Sequence, residues 1–308
     1  MQRGIDMRNC LVVAVWILSA AAAAQEPLVP ANATVRLGPH TWAIPDQGIG
    51  GVPNVGIVIG ENATLVIDPG LGRRNGETVL SEVAKISDNA DLYIATTHFH
   101  PEHTTGYVAF PESAVYVNSR IQEAEFAERG MATIERFSSF GPVFADLLSD
   151  AGRRTADITF DREYRLDLGG VTVQFHVVGP THTGGDTGFF VAEDRVLFSG
   201  DVVMNSSFLA AFPESSISAW LAAFDTFDAL GPTTIVPSHG AIGDGSLLRQ
   251  QREAVEGIRN RAVQLRREGV SEEAAGQIVQ DEMQAMHPDW PRVNRVAILA
   301  RSAWREAE

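Results

Sequence analysis

The sequence predicts an α/β protein in which two mixed β-sheets form a sandwich flanked by helices. Three observations carry that expectation. Short apolar strands recur along the chain. A strand–helix–strand order opens the globular part, as in parallel or mixed sheets covered by helices. The strand-rich stretches are separated and followed by helical ones. With 308 residues, the chain has ample material for a core, whether in one large domain or two small ones.

The chain begins MQRGIDMRNCLVVAVWILSAAAAAQEP. Arg3 and Arg8 precede an apolar run from Leu11 to Ala24, which predicts a secretory signal peptide over 1–24 with cleavage after Ala24. Met7 is an alternative start. The run is shorter than the roughly 20 residues of a membrane span. The mature protein is therefore expected in the periplasm or secreted, with no membrane anchor. The only cysteine, Cys10, lies inside that leader. Residues after it can form no disulfide, thiolate nucleophile or cysteine-based metal site.

The predicted domain runs from 25 to 246, and residues 25–36 read as a polar lead-in. VGIVIG (55–60) and TLVIDPG (64–70) are apolar strands, with Asn62 and Ala63 in the turn between them. GETVLSEVAKIS (76–87) has helical spacing, and DLYIATTH (91–98) is a buried strand. Residues 119–150 carry Ile121, Phe126, Met131, Ile134, Phe137, Val143, Phe144 and Leu147 at amphipathic spacing, which predicts a helical insert. Strands resume as EYRLDL, VTVQFHVV, TGFFVAE and RVLFSGDVV. A helix is expected over 216–229, then the strand TTIVPSHG. Residues 247–308 read as a helical extension, packed on the sandwich or forming a homodimer face. There is no internal repeat.

The formal net charge is −15 and the basic stretches are short or mixed, so nucleic acid is not an expected partner. A small-molecule substrate is.

Three of the eight histidines fall within THFHPEH (97–103): His98, His100 and His103. In extended backbone, His98 and His100 point the same way and can share an ion. Pro101 discourages further extension and lets His103 turn to a second position. Imidazole and carboxylate suit zinc or iron. Downstream, His182 in GPTHTGGDT, Asp201 in VLFSGDVV and His239 in IVPSHG each follow an apolar strand, as does Asp68 in TLVIDPG. Ligands on loops at strand ends are the expected build of a metal site. Asp186 lies close to His182 and is a candidate to orient it. Gly184 and Gly185 are expected to allow a tight turn there. His40, His176 and His287 read as surface or structural residues. Phe208, Leu209, Phe212 and the insert are candidates for either pocket wall or core.

Together, Asp68, HFHPEH, His182, Asp201 and His239 resemble, in order, the motifs of the metallo-β-lactamase superfamily, over about residues 35–245. The resemblance implies an αββα sandwich. It implies that His98, His100 and His182 hold one zinc, that His103, Asp201 and His239 hold a second, and that Asp201 bridges both. A hydroxide between the metals would be the nucleophile, and Asp68 would orient ligands. The family's HxHxDH aspartate is Glu102 here, longer by about 1.5 Å. Glu102 is a candidate both for metal ligand and for general base, and Glu102 and Asp201 are the catalytic candidates. Asp201 stands where well-known zinc β-lactamases have cysteine, and in this it looks more like glyoxalase II and lactonases. The implied function is an exported hydrolase with two zinc ions, cleaving an ester, lactone, thioester or β-lactam. Two alternatives remain. One is a mononuclear iron persulfide dioxygenase using His98, His100 and Asp201. The other is a metal-binding protein in which Glu102 has weakened or abolished catalysis.

Overall fold

A computed structural model describes residues 25–307. The predicted signal peptide therefore lies outside the described residues.

Seven strands form the first sheet, in the order of the chain: β1 (Val35–Arg36), β2 (Thr41–Ile44), β3 (Val55–Ile59), β4 (Ala63–Ile67), β5 (Asp91–Ala95), β6 (Val115–Ser119) and β7 (Ile158–Phe160). Pairing is antiparallel from β1 to β4 and parallel from β4 to β7. The second sheet is ordered β13-β12-β11-β10-β9-β8, from β8 (Glu163–Asp167), β9 (Thr172–Val177), β10 (Thr187–Val191), β11 (Val196–Gly200), β12 (Thr234–Pro237) and β13 (Gly243–Asp244). Only β11 and β12 pair in parallel there. Both sheets are mixed.

Alternate residues of the facing strands fill the space between the sheets. Leu65, Ile67 and Val117 of the first meet Phe175, Phe189 and Phe198 of the second. Side chains buried to this degree each contribute about 1.5–3 kcal/mol. Helix α1 (Gly72–Val83) packs Val79 and Val83 on the outer face of the first sheet, against Ile57, Val66 and Ile94. Helix α2 (Pro101–Thr104) follows β5. The insert contains α3 (Arg120–Glu125), a π-helical turn over Phe126–Gly130, α4 (Met131–Ser138) and α5 (Pro142–Leu147). Its Phe126, Ile134 and Leu147 form a small core with Leu71 and Phe99.

The second sheet is covered by α6 (Ile217–Leu230), whose Trp220, Phe224 and Phe227 are fully buried. Ser216 caps it, accepting from Ala219 N. Beyond lie α7 (Ser246–Arg267), α8 (Glu272–Met286) and α9 (Val296–Glu306). Val255, Ile258, Val279 and Leu299 join the α6 cluster, so these helices bury their apolar faces over the sandwich. No helix among the described residues is long and apolar enough to cross a membrane.

Several boundaries differ from the sequence expectation. The first helix is not 76–87; it starts at Gly72 and ends at Val83. The polar GRRN stretch is helical because Arg73 and Arg74 reach outward to Asp150 and Asp146. The lead-in is tied to α1: the backbone N–H groups of Leu28 and Val29 donate to its buried Asn75 side chain. Strand β6, short and directly before the insert, was not foreseen. Gly184 and Gly185 do not take left-handed turn conformations. A Cβ on Gly185 would lie 2.6 Å from Gln122 Cγ, so close approach is what requires glycine there.

Candidate metal centre

Each candidate residue sits just beyond the C-terminal end of a strand, at one rim of the sandwich. Asp68 follows β4, His98 and His100 follow β5, Asp201 follows β11 and His239 follows β12. His182 lies on the loop from β9 to β10. Pro101 opens α2, whose single turn swings His103 back toward the others. Gly200, with φ 62°, brings Asp201 close to Thr97; a Cβ there would stand 2.8 Å from Thr97 Cβ.

The nitrogens converge. His98 Nε2 and His182 Nε2 each lie 3.1 Å from His100 Nδ1. His182 Nε2 is 3.5 Å from one Asp201 oxygen, and His239 Nε2 is 3.7 Å from the other. His103 Nε2 is 3.8 Å from Glu102 Oε1. Three donor groups result, each with its ligand atoms within 4.8 Å of one another: His98, His100 and His182; His98, His103 and Asp201; and Glu102, His103 and His239. Asp201 thus lies between the other two groups. The longer Glu102 side chain reaches the position beside His103 and His239.

Outer hydrogen bonds set the ring orientations. His182 Nδ1 donates to Ala210 O at 2.7 Å and His239 Nδ1 to Val52 O at 3.0 Å. His103 Nδ1 donates to Asp68 Oδ2 at 3.0 Å. Thr97 Oγ1 donates to Asp68 and lies 3.1 Å from His98 Nδ1, from which it can accept. Each of these four rings therefore turns its Nε2 inward, and in His98 and His182 that nitrogen faces His100 Nδ1. Lone pairs facing one another at about 3 Å need a proton or a cation between them. Glu102 Oε2, His103 Nε2 and Asp201 Oδ1 are buried without any hydrogen-bond partner. Such groups cost about 1–3 kcal/mol each when unsatisfied, so this donor set fits a divalent metal.

Protonation follows the same environment. Burial, then the neighbouring histidines, hold His98 and His100 well below their ordinary pKa, in the neutral form that binds metals. Burial disfavours charge on His103, but Asp68, Glu102 and Asp201 outweigh it and raise it to about 9. Metal binding there must displace a proton. Burial lifts Glu102 to about 7, against the pull of His103. Burial works the same way on Asp201, but His239, His182 and His103 outweigh it and keep its carboxyl below the usual range.

Asp186 does not touch the His182 ring. It accepts from Thr183 N at 2.9 Å and Thr183 Oγ1 at 2.6 Å, and from Thr181, and so shapes the turn that carries His182. Phe208 and Leu209 are buried in the α6 core, whereas the Phe212 ring stands 5.2 Å from that of His182. His40, His176 and His287 lie outside all three donor groups.

Sequence reasoning missed two residues that hold the centre together. Gln122 Nε2 lies 3.0–3.1 Å from the carbonyl oxygens of Thr96, Thr97 and Gly185, joining the His98 loop to the His182 loop. Glu125 accepts from the N–H groups of both Gly184 and Gly185. A glutamine and a glutamate in an amphipathic helix carry no local mark of such a role.

A cavity of about 450 Å³ opens beside Glu102 and His239, walled by Phe137, Phe140 and Phe144 of the insert and by Arg292.

The family model described as the metallo-beta-lactamase superfamily matches residues 48–239. A linear primary-alkylsulfatase of Pseudomonas sp. (strain ATCC 19151) is 26% identical over 246 residues, covering 67% of this chain and 46% of that protein. The chain spans about half the length of that curated relative. Among solved structures, a metallo-beta-lactamase from Pontibacter korlensis has a TM-score of 0.59 at 20% identity, over 72% of this chain and 98% of that one. A stereoselective inverting sec-alkylsulfatase from Pseudomonas sp. has a TM-score of 0.63 at 14% identity, over 88% of this chain and 49% of that one. These structures share the αββα fold. On the family match, which covers every ligand candidate from His98 to His239, this chain belongs to the metallo-beta-lactamase superfamily.

Proposed function

We propose that the protein is an exported hydrolase that holds two zinc ions and cleaves an acyl bond of an ester, lactone, thioester or β-lactam. One observation carries this reading: three buried atoms without a hydrogen-bond partner, Glu102 Oε2, His103 Nε2 and Asp201 Oδ1, lie within adjoining donor groups that run from His98, His100 and His182 through Asp201 to Glu102, His103 and His239. Export rests on Arg3, Arg8 and the apolar run that follows them.

Bound zinc supplies a water of lowered pKa, near 7, and polarises a substrate oxygen. The residues of this chain supply the rest. Asp201 carries the negative charge between the two donor groups. Glu102, its carboxylate buried beside His103 and His239, is placed to accept a proton and return it. The rings of Phe137, Phe140 and Phe144 give the substrate an apolar wall and reduce the water around the reacting bond.

A second reading is hydrolysis of an alkyl sulfate ester. The likeness to a linear primary-alkylsulfatase over two thirds of this chain favours it, and so does an arginine beside an apolar wall.

The test is metal content of the purified protein, with parallel assays on an aryl ester, a lactone, a chromogenic β-lactam and an alkyl sulfate. Close to two zinc ions per chain with turnover of an acyl substrate is the expected result. Turnover of the sulfate alone would select the second reading. One iron per chain without hydrolysis would overturn both, and would direct attention to oxygen uptake with persulfides.

A further inference from the structure

Three arginines lie around the centre, in or beside the clefts that its residues line, in a chain with a formal net charge of −15. Among the described residues, none of the three pairs with a carboxylate, although other arginines nearby do, as Arg129 does with Glu125 and Glu214. Arg292 lines the cavity that holds Glu102 and His239, and its Nη1 is 2.9 Å from Ser207 Oγ. Its backbone is left-handed, with φ 66°, a conformation uncommon for a side chain of this size. Arg295, one turn further on, places its guanidinium 4.7 Å over the Phe212 ring, which in turn lies 5.8 Å from the His100 ring. Arg136, exposed on α4, lines a smaller cleft with His100, His182 and Phe212. Burial, then repulsion from Arg136 and Arg292, holds Arg295 below its ordinary pKa. Asp46 and Glu102 line the same cavity as Arg292, but guanidinium groups beside a site and held in no ion pair of their own suit an anion from outside the chain.

We propose that Arg292 and Arg295, with Arg136, form an anion subsite, so that the substrate is an amphipathic anion whose carboxylate or sulfate they bind. Its apolar part lies along Phe137, Phe140 and Phe144. The subsite is built across the fold: two arginines come from the segment between α8 and α9, and one comes from the insert. Planar guanidinium groups suit the paired oxygens of either anion. The inference rests on the hydrolase reading for what happens next to the bound molecule, but not for binding itself.

The test is calorimetric titration of the full metal-free chain with octanesulfonate, octanoate and octanol. Both anions share the tail of the alcohol, so the head group alone separates them. At least tenfold tighter binding of one or both anions than of octanol is expected, and the preferred anion identifies the natural head group. Arg292→Ala should lose at least tenfold of that affinity without changing octanol binding, and Arg292→Lys should recover part of it. If Arg292→Ala fails to fold, Arg136→Ala, on an exposed helix face, should still weaken anion binding about threefold. Equal binding of octanol and the anions, or unchanged anion affinity in folded Arg292→Ala, would overturn the proposal. Anion binding without turnover of any ester would sink the hydrolase reading alone. Turnover of neutral esters with no anion preference would sink the subsite alone.

Discussion

Asp68 Oδ2 accepts from His103 Nδ1 at 3.0 Å, while Oδ1 of the same carboxylate accepts from Thr97 N at 2.7 Å. One side chain thus orients a ring on α2 and fixes the loop that carries His98 and His100. Asp68 is itself left-handed, with φ 58°, a conformation asparagine also tolerates. Asp68→Asn should therefore fold, but it should no longer hold His103 firmly as the Nδ1–H tautomer. Metal affinity should fall about 10–100-fold. Competition with a chromogenic chelator measures it, and an unchanged affinity would remove Asp68 from the set of orienting residues.

Glu102 is the departure from the family motif, and its carboxylate is buried beside His103 and His239. Glu102→Gln keeps the shape and removes the proton acceptor, so kcat should fall about 10²–10⁴-fold. Glu102→Asp keeps the carboxylate but shortens its reach, so it should alter rate or substrate preference far less. Equal rates and equal metal content across all three proteins would show that Glu102 is not part of the centre.

Gln122 is fully buried and joins two ligand-bearing loops to the insert. Gln122→Ala would remove the partner of Thr96 O, and one of the two donors to each of Thr97 O and Gly185 O, whose other donors come from Thr187, and should cost about 1–3 kcal/mol of stability. Urea denaturation reads the loss. A change below about 0.5 kcal/mol, the size of an ordinary surface substitution, would contradict the hub role.

Glu82 of α1 is 1% exposed and accepts from Asn32 N at 2.8 Å and Thr34 Oγ1 at 2.6 Å, and it pairs with Lys85. Burial alone would raise its pKa. The bonds from Lys85, Thr34 and Asn32 outweigh that and lower it below the ordinary carboxylate value. Because the folded pKa is the lower one, the unfolded chain takes up the proton first as pH falls. The stabilisation is whole above the unfolded pKa, about 4.3, and is lost as pH drops through the folded value. Glu82→Gln should be less stable than the parent by about 2 kcal/mol at pH 7, with the gap closing in acid. A gap that stays constant from pH 7 into acid would refute the assignment.

Much of the site was legible because its ligands are chemically rare and lie directly after apolar strands. Eight histidines in 308 residues make THFHPEH conspicuous, and β4, β5, β11 and β12 are short apolar runs that local pattern reveals. The αββα layering was legible for the same reason, since strands buried on both faces read as continuous apolar sequence. Local pattern was weaker at boundaries. The first turn of α1 shows no apolar period, and its arginines are paired with residues more than 70 positions away.

Sequence alone therefore determined the inventory: strands that must be buried, and seven candidate metal ligands in a recognisable order. Only the tertiary structure decided which of those side chains share a group, that Glu102 reaches the position beside His103 and His239, and that Arg292 lines the cavity beside them. The physical reason is that a ligand's chemistry is local, whereas distance between side chains depends on how strands 30 to 190 residues apart are paired and packed. Gln122 is the clearest case: nothing about a glutamine marks it, and its role arises only where two loops and a helix converge.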